Sequence, residues 1–184
     1  MHWLRLLLLI PAFCFPGSHA AATVMRPVSA STIPIPVVVA SQRINDTVPR
    51  PIGYVNDYDS LFTPAQEYFL DSLIARFEQQ TTIQIAVVTV DTAMTSKENF
   101  DNYALRILRV WSIGQQEKQN GIVVAISRPY RKIRIENGYG IVKVLPDRET
   151  KMIIDTAFIP SFKKGEYFEG TLHGVQTLME RLRP

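Results

Sequence analysis

Gly121-Ile122-Val123-Val124-Ala125-Ile126-Ser127, then Arg128-Pro129-Tyr130-Arg131, then Lys132-Ile133-Arg134-Ile135-Glu136-Asn137, then Gly138-Tyr139-Gly140: this order of residues decides the fold. The first run is almost continuously apolar, the pattern of a strand covered on both faces. The run from Lys132 to Glu136 alternates polar and apolar, as a strand with one wet face does. A corner of about four residues between them predicts an antiparallel hairpin. The hairpin sets the entry loop Gln119-Asn120-Gly121 beside the exit loop Asn137-Gly138-Tyr139-Gly140 on one rim of the sheet. That rim is the first place to expect a site.

Working outward, Thr63-Pro64-Ala65-Gln66 supplies an N-cap, a proline at the first helical position and a capping-box partner. Leu70, Leu73, Ile74 and Phe77 follow at helical spacing. Residues 82–91 read as a strand, and a second helix carries Phe100, Ala104, Ile107, Leu108 and Trp111 on one face. Beyond the hairpin a third helix starts at Asp147 and is interrupted near Pro160. A fourth carries Phe168, Leu172, Val175, Met179 and Leu182. Helices separated by strands cover both faces of a sheet. The expected fold class is therefore α/β, a three-layer α/β/α sandwich with a small mixed sheet that includes the hairpin. A right-handed crossover makes the strand at 82–91 parallel to Gly121–Ser127. Asp91 and the Arg128–Arg131 corner then share the rim opposite the glycines. A short strand before the first helix leaves Asp57 at either rim.

The chain ends differ from this body. Arg5 and the apolar run Leu6 to Phe15, followed by Pro16-Gly17-Ser18-His19-Ala20, read as a signal peptide over residues 1–20. The run is shorter than the about 20 apolar residues that a membrane span needs. Residues 21–51, with Pro27, Pro34, Pro36, Pro49 and Pro51, read as an extended tether. Residues 52–184 form the domain. Four of the 20 basic residues (Arg5, Arg26, Arg43, Arg50) and one of the 17 acidic ones (Asp46) precede Ile52, which leaves sixteen of each in the domain. A neutral domain argues against a nucleic-acid partner. Removal of the leader takes the single cysteine, Cys14, with it, so disulfides and thiol chemistry are excluded. His173 would be the one remaining histidine, which excludes histidine-rich zinc sites and His-dependent nucleophilic catalysis.

Taken in order, several pieces resemble the TPM-domain family of exported bacterial and thylakoid-lumen repair proteins. They are Val55-Asn56-Asp57, Trp111-Ser112-Ile113-Gly114, Asn120 to Ala125, Arg131 to Glu136, Gly138-Tyr139-Gly140, Leu145-Pro146-Asp147 and Lys164-Gly165-Glu166-Tyr167. The resemblance spans about residues 54–183. It implies an α/β/α sandwich, calcium binding in some members, acid-phosphatase activity in some plant-type members, and accessory or repair roles at membrane complexes. Carried onto this chain, Asp57, Asn120 and Asp147 match the family's polar positions. Gln119 stands where the family often has an aspartate, which lowers the charge at the rim.

These residues fit the oxygen-rich coordination that calcium prefers. Asp57, Asn120 and Asp147, with loop carbonyls and water, would make an open and weak site, and Gly121, Gly138, Tyr139 and Gly140 would form its ligand loop. Competing readings are as concrete. Asp147 stands where an N-cap belongs, a role that stabilises a helix by about 1 kcal/mol without any ligand. Asp57 and Asp59 could equally be turn residues holding the chain before Leu61 and Phe62. The basic run after the corner reads as a solvated strand face balanced by Glu136. Arg128, Tyr130 and Arg131 are the residues a partner surface would use there. The expectation is an exported, periplasmic or secreted, envelope-associated module, monomeric, with a protein partner at the membrane and no organic cofactor. The alternative is a metal-dependent acid phosphatase acting on phosphomonoesters.

Overall fold

The computed structural model describes residues 47–183; the predicted signal peptide and most of the predicted tether lie outside them. Four strands form one sheet in the order β1-β2-β3-β4: β1 (Val55–Asp57), β2 (Gln84–Thr89), β3 (Gly121–Ser127) and β4 (Lys132–Asn137). The first three are parallel, and β4 runs antiparallel to β3 with Ile122 opposite Asn137 and Ser127 opposite Lys132. The predicted hairpin is therefore present, joined by the four-residue corner.

Alternation along β3 builds the two cores. Ile122, Val124 and Ile126 join Val87 of β2, Leu70, Ile74 and Phe77 of helix α1 (Pro64–Thr81), and Val175, Leu178 and Leu182 of helix α6 (Tyr167–Leu182) on one face. Val123 and Ala125 meet Phe100, Tyr103, Ala104 and Ile107 of helix α2 (Phe100–Val110) on the other. Every residue of β3 is buried, which explains why its sequence shows no polar alternation. The α/β class and layered build are as expected.

Local chemistry sets the helix ends. Gln66 N–H donates to Thr63 Oγ1 (3.3 Å) and Thr63 N–H to Gln66 Oε1 (2.9 Å), the reciprocal box read from the sequence. The chain after β4 makes a short turn, α3 (Tyr139–Val142), and then α4 (Asp147–Ile153). The interruption expected near Pro160 takes the form of a π-helical turn over Ile154–Phe158, followed by α5 (Ile159–Phe162). Pro160 has no N–H to give Thr156, and its ring crowds that carbonyl, so the helix widens just before it instead of ending. Ile159 N–H accordingly donates to the Ile154 carbonyl, one residue further back than in an α-helix.

The last residues of the predicted tether belong to the domain. Trp111 Nε1–H donates to the Pro49 carbonyl (2.6 Å), Tyr103 Oη to the Thr47 carbonyl (3.3 Å), and Val48 packs on the α2 core. Indole N–H groups seek a partner when covered, and here the incoming chain provides it.

Candidate functional site

The two rims of the sheet differ in what they leave free. At the glycine rim the loops predicted to be neighbours are neighbours: Gly138 N–H donates to the Gly121 carbonyl (2.8 Å) and Gly140 N–H to the Gln119 carbonyl (3.0 Å). The glycines serve that contact. A Cβ on Gly138 would collide with the Gln119 carbonyl oxygen, and one on Gly121 with the Ile113 carbonyl oxygen. Backbone therefore approaches backbone here, where the sequence reading placed a ligand. Asn120 is 7% exposed and committed. Its Oδ1 accepts from Gln115 N–H (2.8 Å), and its amide donates to the Thr82 carbonyl (2.7 Å). Tyr139 projects outward, 80% exposed.

Asp147 takes the first helical position of α4, and the capping position falls to Pro146, with no side-chain cap. Its exposed charge still suits a helix start. Its charge also acts on Arg134, whose guanidinium is held above its usual range chiefly by the hydrogen bond to Glu136, with the charges of Asp101 and Asp147 adding.

Asp57 ends β1, and parallel strands carry that end to the rim opposite Asn120. The seven residues of β3 separate the rims by about 20 Å at about 3.3 Å per residue. Asp57, Asn120 and Asp147 therefore form no common site. Asp57 is also occupied: Leu61 N–H (3.0 Å) and Phe62 N–H (2.8 Å) donate to its two oxygens, and the Thr89 hydroxyl donates at 2.5 Å. It folds the chain into α1.

Asp59, two residues on, is the group left incomplete. Its side chain is 8% exposed, and its pairing with Arg128 (Nη2 to Oδ1, 3.4 Å) is long. Four buried side-chain oxygens lack a partner among the described residues, and Asp59 Oδ2 is the one on an ionisable group. A buried charge without full hydrogen bonding is far costlier than a buried hydroxyl. Burial pushes the Asp59 carboxyl up; Arg128 opposes this, and the charges of Asp91 and Asp57 add to it. No group of three or more His, Cys, Asp or Glu among the described residues converges as a metal centre. Asp91, whose Oδ1 accepts from Ala93 N–H (2.8 Å), adds its charge to Asp59, so this rim is acidic. No local pattern signals it, because Asp59 meets Arg128 across 69 residues.

The corner residues also differ from a free partner surface. Arg128 is drawn onto Asp59, and Tyr130 is half-buried, its hydroxyl donating to the Thr95 carbonyl (2.6 Å). Arg128 and Arg131 are both exposed, and of the two only Arg131 makes no ion pair among the described residues. Lys132 pairs with Asp101 (3.0 Å) and Arg134 with Glu136 (2.6 Å), the balanced strand face that was expected.

The family model of the TPM domain matches residues 55–181. Among solved structures, the N-terminal domain of a P. gingivalis protein is similar at 29% identity with a TM-score of 0.64, covering 70% of this chain and 81% of that one. The protein BA42 from the psychrophilic bacterium Bizionia argentinensis aligns at 20% identity and a TM-score of 0.59, over 68% of this chain and 83% of its own. The N-terminal domain of cg2496 from Corynebacterium glutamicum aligns at 12% and 0.54, over 74% and 84%. The latter two speak for the fold alone. A comparison with curated proteins found no match.

Proposed function

The chain belongs to the TPM-domain family, and from that footing we propose that it is a binding module of the cell envelope whose ligand edge is the carboxyl end of its parallel strands. The ligand there is a divalent cation held loosely by Asp59 and Asp91. The observation that carries this reading is the unpartnered oxygen of a carboxylate whose side chain is 8% exposed. Ligand sites of open α/β sheets gather at this end of the strands. A hard cation would meet Asp59 Oδ2, and loop oxygens and water would fill the remaining coordination. Arg128 now neutralises part of the same charge, so binding competes with an internal ion pair and is weak.

Export is part of the proposal and rests on the leader-like residues 1–20. Among the described residues no helix is long and apolar enough to cross a membrane. The module recognises a protein partner near the envelope, and the cation stiffens the Asp57–Ser60 turn for it. Turnover is not assigned to it.

Calorimetric titration with calcium separates the two edges. Asp59→Asn should abolish the heat of binding, whereas Asp147→Asn should leave it unchanged. The reverse pattern would return the site to the glycine rim. In the same preparations, phosphomonoesterase activity that needs the metal and vanishes in Asp59→Asn would replace the binding reading with the phosphatase one.

A further inference from the structure

Between the β3–β4 corner and the α5–α6 loop lies a cavity of about 600 Å³, a size typical of small-ligand sites. Its basic lining residues are Arg131, Lys132, Lys163 and Lys164, and no carboxylate lines it. Their commitments differ. Lys132 is bonded to Asp101 at 3.0 Å and lies over the Phe100 ring. Lys164 stands 3.9 Å from Glu166, at the limit of an ion pair. Arg131 and Lys163 make no ion pair among the described residues, and both are exposed. Two free cations and one loosely held thus share a concave space.

Apart from the Ser127 hydroxyl, which is buried without a partner among the described residues, the other side chains of the wall are largely apolar. Phe162 and Tyr167 lie with ring centroids 5.0 Å apart, and Ile133 and Ile159 also line the space. The fit is to a ligand with a multiply charged anionic head and an apolar body. A phosphate monoester carries about −1.5 to −2 charges at neutral pH, enough to balance two cations. A single carboxylate would leave one cation unbalanced. A guanidinium adds two-pronged recognition of phosphate oxygens.

We propose that this cavity retains a phosphate group borne on an apolar body, with Arg131, Lys163 and Lys164 on the phosphate and Phe162, Tyr167 and Ile133 on the body. It is a site of binding, since neither a carboxylate nor a histidine lines it to activate water. It uses no residue of the cation rim and stands or falls separately from it.

Phenyl phosphate titrated into the full isotopically labelled chain tests the assignment. Saturating amide shifts are expected at Arg131, Ile133, Lys164, Gly165 and Tyr167, with none at Gly121 or Gly138. Arg131→Gln and Lys163→Gln should each weaken binding about tenfold, the loss of one charge-assisted contact. Arg131→Lys should restore part of it, and inorganic phosphate, lacking the body, should bind more weakly than phenyl phosphate. Co-sedimentation with phosphatidic acid vesicles but not phosphatidylcholine vesicles, lost in Arg131→Gln, would uphold the site and assign a lipid source. Phenyl phosphate binding without sedimentation would uphold it with a soluble source. Shifts that never saturate, or an affinity unchanged in both glutamine variants, would overturn it.

Discussion

Asp57 and Asp59 sit two residues apart and answer to opposite physics. Asp57 accepts two backbone N–H groups and a hydroxyl, so removing it leaves those donors buried and unmet. Asp57→Ala should cost about 2–4 kcal/mol in urea unfolding, in line with losing several hydrogen bonds to a charged group. Asp59 has the contrary balance, because burial raises its folded pKa above the ordinary value of 3.8. A raised acid contributes stability below that ordinary value, and the contribution is lost as pH rises through the folded pKa. At neutral pH the ionised group is therefore a liability. Asp59→Asn should raise the melting temperature at pH 7, with the gain shrinking as pH falls through the raised folded pKa and gone below the ordinary value. A gain that grew on acidification would contradict this account. Neither role is spelled by the residue itself: Asp57 reads as a ligand or a turn residue, and Asp59 as a turn residue, until the partners from β2 and the corner are in place.

Elements were more legible than side chains. Strand periodicity, the capping box and the four-residue corner are local signals, and the elements at Thr63–Thr81 and Gly121–Asn137 follow from them. The meaning of the glycines was less legible, since open loops for ligands and tight backbone crossings use the same residue. Gly138→Ala tests the second meaning. Its methyl group would meet the Gln119 carbonyl, so the variant should lose about 1–3 kcal/mol of stability, the cost of overpacking, with no change in cation affinity. Asp147 was misplaced by one position, because the extended Pro146 takes the N-cap backbone role that an aspartate usually fills. At the other end, Pro160 accounts for the widening, and the Phe158 ring seated against Gly174 of α6 helps hold the chain helical beyond it.

At the scale of the whole molecule, a neutral domain conceals a divided rim. Asp57, Asp59 and Asp91 gather where β1 and β2 end, and Arg131, Lys163 and Lys164 gather beside the β3–β4 corner. Net charge summed over the sequence could not reveal that separation, since it arises from bringing the α5–α6 loop to the hairpin. The boundary of the domain was likewise hidden. Proline-rich composition reads as tether through Pro51, yet Trp111 and Tyr103 hold the chain from Thr47. A chain beginning at Thr47 should melt with the full-length protein, while one beginning at Ile52 should lose about 1–2 kcal/mol, the worth of a hydrogen bond or two. Equal melting of both would place the boundary after Pro51.

The proposed ligand edge lies where the parallel strands end. Calcium titration followed by amide shifts across the labelled chain tests it most directly. Saturating shifts are expected at Asp59, Ser60, Asp91 and Thr92, with Gly121, Gly138 and Gly140 unmoved. Shifts confined to those three glycines, with Asp59 silent, would contradict it.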